Sequence, residues 1–192
     1  MALAPYGESV TARRYALRAA DEHGFSAIAV ADHLWAVPPW MGPQEGPMPE
    51  CYTTLSFLAA STERVQIIAL ATPPHFRHPA LLAKMVSTLD VLSDGRAWLG
   101  IGAGDYPDEA EGLGMSYPPT SERFEMLEET VQICLRMWSG EHGDEQPFRG
   151  KHYHVKRALD SPQMPESQAR PHPPILIAGS GEQKTLRLVA RY

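Results

Sequence analysis

Four short apolar runs, each separated from the next by helical patterns, constrain this chain more than any other feature. They occupy residues 26–31 (SAIAVA), 65–71 (VQIIALA), 97–101 (AWLGI) and 175–178 (ILIA). None shows a clean apolar–polar alternation, so each reads as a strand covered on both faces. Between them, apolar residues recur three and four apart. Leu82, Met85, Val86 and Leu89 do so in residues 79–92. Phe124, Leu127, Val131, Leu135 and Trp138 do so in a longer helix capped by Thr120 or Ser121. Further helices are expected at 8–23, at 49–61 and from about Glu182. Strands alternating with helices require a parallel sheet with right-handed crossovers. A doubly wound sheet and a barrel both satisfy that pattern.

Length and charge narrow the partners. A chain of 192 residues suits one domain, yet only four strands are evident. A (β/α)8 barrel needs eight strands and typically about 250 residues, so a barrel here would be a piece of one. The net charge of −6 argues against nucleic acid or an anionic membrane surface as a partner. No apolar stretch approaches the roughly 20 residues that span a bilayer. The opening MALAPYGESV lacks the basic start and apolar core of a signal peptide. Cys51 and Cys134 fall on separate helical patterns, which argues against a disulfide framework. A soluble cytoplasmic protein is the expectation.

Every strand exit carries something polar or glycine-rich. The first ends in Asp32-His33, where a histidine can serve as general base or acid with the aspartate tuning it. The second ends in residues 69–74 (ALATPP), beginning with Ala69-Leu70. A bulge there would re-aim groups toward a ligand, although an ordinary proline-terminated strand is the simpler reading of the residues alone. His75 and His78 follow, without an evident third metal ligand. The third exit is the most informative: in VLSDGRAWLGIGAGD, Asp94-Gly95 ends a helix, and Gly100, Gly102 and Gly104 strip side chains from the strand's end. Asp105 closes that mouth, as a proton-handling carboxylate or as a plain turn aspartate. The fourth exit, Gly179-Ser180-Gly181, precedes a helix and suits a phosphate. It is not a Walker loop, because Gln183 stands where glycine would precede Lys184-Thr185. GIGAGD likewise lacks the third glycine of a dinucleotide fingerprint.

GFSAIAVADH, HPALLAKMVSTLDVLSDGRAWLGIGAGD, SERFEMLEETVQICLRMWSG and PPILIAGSGEQKTLRLVARY together resemble the luciferase-like monooxygenase superfamily. The likeness is strongest to the branch that uses the deazaflavin coenzyme F420. The resemblance implies an α/β fold, a partial TIM barrel of about strands two to five in one incomplete domain over residues 1–192. The barrel's first strand would precede Met1 and its last three would follow Tyr192. It implies hydride transfer between a small organic substrate and F420, with FMN-dependent monooxygenation as the alternative within the family. His33 matches the histidine that takes a proton from the substrate, and Asp105 an acidic position that is often glutamate. Asp32, Ala69, Leu70 and Gly104 match positions beside the cofactor ring, and Ala69-Leu70 the site of a non-prolyl cis peptide. Gly179, Ser180 and Gly181 match the phosphate loop. Rival readings are an inactive piece that needs a partner chain to complete its sheet, and a metal hydrolase using His33, His75 and His78. No metal is implied by the family resemblance, and a homodimer is among the assemblies it allows.

Overall fold

The computed structural model describes residues 2–3, 18–163 and 170–192. Five strands form one parallel sheet: β1 (Ala2–Leu3), β2 (Ala27–Val30), β3 (Gln66–Ala69), β4 (Ala97–Gly102) and β7 (Ile175–Ala178), adjacent in that order. Each strand lies beside its predecessor in the sheet, with no reversal of direction across it. A doubly wound sheet reverses its strand order, whereas a barrel keeps adding on the same side. The order therefore decides between the two architectures, and the sheet is an arc of a (β/α) barrel.

The helices fill the crossovers. Residues 18–22 end α1, whose earlier residues, with most of the expected 8–23 helix, lie outside the described part. Then come α2 (Cys51–Ser61), α3 (Pro79–Leu92), α4 (Pro107–Gly112), α5 (Thr120–Met137) and α6 (Thr185–Arg191). A small antiparallel hairpin, β5 (Phe148–Arg149) and β6 (His154–Val155), sits between α5 and β7. One expectation needs correction: Ala2–Leu3 pairs with Ile28 and Ala29, so the strand placed before Met1 is supplied by residues 2–3. Two residues carry no readable period, which is why the sequence did not disclose it.

Helix α3 shows how local sequence sets the frame. Proline occupies its first turn, where no N–H is needed, and the His78 side chain accepts from the Ala80 N–H at 3.2 Å. Leu82, Val86 and Leu89 are buried on the sheet side. Each such burial contributes about 1.5–3 kcal/mol before entropy is counted. The Gly95 N–H donates to Asp90 O at 2.8 Å, ending the helix where Asp94-Gly95 was expected to.

The amino end of the sheet is tied by two buried side chains. Arg96 donates to Ala59 O, Thr62 O, Val65 O and Ser93 O and to the Thr62 hydroxyl, all at 2.8–3.1 Å. It thereby satisfies carbonyls that the end of α2 leaves unpaired. Asp21 accepts from the N–H groups of Glu63, Arg64 and Val65, each at 2.8 Å. Both cysteines are buried and free. No helix among the described residues is long and apolar enough to cross a membrane.

Candidate active site

Parallel strands bring the exits of β2, β3, β4 and β7 to one rim. Past β2, Asp32 is buried and takes a bidentate contact from Arg77, at 2.6 and 3.0 Å. The Thr72 hydroxyl donates to the same carboxylate at 2.7 Å, and Tyr52 OH lies 2.9 Å from Thr72 Oγ1. Arg77 also reaches Glu50, the N-cap of α2, at 2.6 Å. Burial is the largest influence on Asp32 and raises its carboxyl above the ordinary value, against the pull of Arg77 and Thr72. Burial works against the charge on Arg77 too, but Asp32 and Glu50 outweigh it and hold the guanidinium charged. Asp32, expected at the cofactor, thus spends its carboxylate on protein partners under the rim.

His33 stands one residue further on, with its side chain 22% exposed. Its Nδ1 lies 2.9 Å from Oε2 of Glu109, a carboxylate buried to 1% exposure. The other Glu109 oxygen accepts from the backbone N–H groups of Leu34 and of Trp35, the latter at 2.8 Å. Burial alone would raise Glu109, yet His33 and these N–H groups bring it below the ordinary value. For His33, burial pulls down, while the Glu109 hydrogen bond and charge, with Asp105 and Asp32, lift its pKa overall. An ionised carboxylate can only accept, so Nδ1 carries the proton in the neutral ring. Nε2 is then the nitrogen with a lone pair, which is the form a general base needs.

Glu109 was not anticipated from sequence. Its helix, α4, begins with Pro107, Asp108 and Glu109, a start signal of proline followed by acids that was there to be read. Its pairing with a histidine 76 positions away was not.

At the exit of β3 the backbone departs from regular pairing. Ile68 pairs with Trp98 and Thr72 with Ile101, so β3 spends one residue more than β4 between the two pairs. This is a bulge of the kind that re-aims groups at a rim. The cis peptide lies within it at Leu70–Ala71, one residue beyond the expected Ala69–Leu70. The bulge explains Gly100: a β-carbon there would stand 1.8 Å from Ala69 O. Gly100 therefore makes room for the neighbouring strand and not for a ligand.

Gly104, at φ +76, lies against His75: a β-carbon would meet the His75 ring at 2.9 Å. The His75 ring packs edge-on to Phe76 and Tyr117. Burial, reinforced by Arg123, brings its pKa down to about 4. His78 caps α3 and His33 is bound to Glu109, whereas His75 Nδ1 is buried without a hydrogen-bond partner. Among the described residues no group of three His, Cys, Asp or Glu side chains could hold a metal ion. Asp105 is exposed at the rim, near enough to His33 to raise its pKa. His152 lies in the hairpin turn with Nε2 2.9 Å from Glu125 Oε2.

Beyond β7, Gly179, Ser180 and Gly181 are exposed. Gly102 pairs with Ala178, so this loop leaves the sheet beside the one carrying Gly104 and Asp105. Helix α6 begins at Thr185, after a turn at 182–184, slightly later than expected. Thr185 is buried and its hydroxyl has no hydrogen-bond partner.

Consecutive parallel strands with titratable side chains gathered at their carboxyl ends define the mouth of a (β/α) barrel. The chain belongs to the luciferase-like monooxygenase family, whose sequence model matches residues 4–192. It is 37% identical over 173 residues to an F420-dependent glucose-6-phosphate dehydrogenase of Microbacterium testaceum, covering 90% of this chain and 47% of that protein. A protein of the same name from Kineococcus radiotolerans is 34% identical over 165 residues, covering 84% and 44%. The crystal structure of the monooxygenase RslO1 from Streptomyces bottropensis matches with a TM-score of 0.74 and 27% identity, over 100% of this chain and 57% of that one. The chain spans about half the length of the curated relatives it matches.

Proposed function

We propose that this chain forms the cofactor-binding side of an F420-dependent oxidoreductase that acts on a small organic substrate with an oxidisable hydroxyl. The observation that carries the reading is His33: a partly exposed imidazole at the end of β2, with Nδ1 fixed on buried Glu109 and Nε2 left to serve as base. The names of the relatives support F420 over FMN. A bound deazaflavin would supply the hydride acceptor.

The chain's own residues supply the rest. His33 Nε2 takes the proton from the substrate hydroxyl as the hydride leaves carbon, and Glu109 stabilises the imidazolium that results. Asp105, on the loop beyond β4, is the candidate acid toward the ring. Backbone at Ala69, Leu70 and Gly104 borders the ring, with Asp32 holding that wall from beneath. Gly179, Ser180 and Gly181 receive the phosphate. The orphaned Thr185 hydroxyl fits that assignment, because an anionic oxygen would satisfy it.

Titrating the purified chain into oxidised F420, and separately into FMN, tests the reading by fluorescence quenching. Saturable quenching of F420 at micromolar protein is expected. Saturable binding of FMN alone would turn the assignment to the flavin-dependent alternative.

A further inference from the structure

The rim loop that carries Asp105 is held by a residue on another element. Arg123 lies in the first turns of α5 and is 6% exposed. Its Nε donates to Ala103 O at 2.8 Å and its Nη2 to Gly104 O at 3.1 Å. Nη1 donates to Pro118 O at 2.6 Å, and Nη2 also approaches the Thr120 hydroxyl at 3.3 Å. The Arg123 Cζ sits over the Tyr117 ring, 4.0 Å from the ring centre. Tyr117 in turn meets His75, whose ring packs against Gly104.

We infer that Arg123 is a positioning residue, which fixes the loop of Ala103, Gly104 and Asp105 at the mouth through two backbone carbonyls. A trans peptide sets each N–H opposite its carbonyl. Drawing the carbonyls of Ala103 and Gly104 onto one guanidinium therefore turns the N–H groups of Gly104 and Asp105 the other way. The planar fork is essential: a lysine ammonium is one point charge and cannot span two successive carbonyls while stacking on an aromatic ring. The role rests on the F420 reading only in what the loop is positioned for; the grip itself does not depend on it.

The experiment compares the full chain with R123K and R123A by amide hydrogen exchange, F420 quenching and thermal melting. In both variants, exchange at Gly102, whose N–H donates to Thr72 O at 3.0 Å at the root of this loop, should quicken by about tenfold or more, the worth of losing charged hydrogen bonds. Amides of β3 and α3 should keep their wild-type protection. The F420 dissociation constant should rise by about the same factor. Millimolar guanidinium, far below denaturing levels, should restore slow exchange to R123A but not to R123K. Unchanged exchange at Gly102 overturns the proposal. So does a uniform loss of protection through the whole sheet, which would make Arg123 a general stabiliser. If wild type binds no F420 yet the loop responds as described, the cofactor reading fails and the positioning role stands.

Discussion

The His33–Glu109 pair determines how the rim responds to acid. Glu109 raises the His33 pKa and fixes its tautomer. In E109Q the charged acceptor is gone, so the His33 pKa, followed by its ring proton resonances, should fall. The acid limb of kcat/KM should move to lower pH with it; a histidine that titrates as before would refute the coupling. Stability follows the same pair. His33 has a raised folded pKa, so its contribution is complete below the unfolded value, 6.5, and fades as pH climbs through the folded one. Glu109 has a lowered folded pKa, so its contribution is present above 4.5 and lost as pH falls through the folded value. Urea unfolding should therefore show E109Q less stable than wild type by about 1–3 kcal/mol near pH 5.5, with a gap that narrows by pH 8.5. A gap that widens with pH would mean the charge on His33 is not what Glu109 stabilises.

Among the elements, β3 and β4 show that a glycine-rich exit has more than one explanation. Gly100 faces the bulged carbonyl of Ala69, whereas a β-carbon at Gly102 would find nothing closer than 3.5 Å. G100A should lose at least about 3 kcal/mol or fail to fold, because backbone on two strands must shift. G102A should stay within about 1 kcal/mol of wild type. Equal midpoints in urea for the two variants would show that the bulge can straighten. The strands themselves were legible, since unbroken apolar runs of strand length mark them; 175–178 agrees to the residue in its bounds, although it is half-buried and not covered on both faces. Helix α3 was legible for a different reason, the agreement of its proline start, its apolar stripe and its Asp94-Gly95 end. Of the site, His33 and the loops at Gly104 and Gly179 stood out because chemistry at a strand exit can be read locally. Glu109, Arg77 and Arg123 did not, because their meaning lies in partners brought by the fold from elsewhere in the chain.

For the whole molecule, the sheet's β7 side is the vulnerable one. Among the described residues, β7 ends the strand order and is only half buried along its length, and Leu186 and Val189 on α6 are 56% and 50% exposed. An apolar sheet edge of this kind invites pairing with another chain. Light scattering should show self-association at high protein concentration, relieved in L186K/V189K without loss of melting temperature. A wild-type chain that stays monomeric throughout would remove that concern. The other asymmetry runs along the strands. At their amino ends, Arg96 and Asp21 bind mainly backbone, so their work depends little on which side chains surround them. At the carboxyl ends, the bonds of Asp32 and His33 run chiefly to other side chains. Substitutions at sites well apart, without shared partners, tend to add independently. A laboratory lineage begun from this chain could therefore exchange one chemistry for another at the mouth, while the opposite end kept its tolerance for such experiments intact.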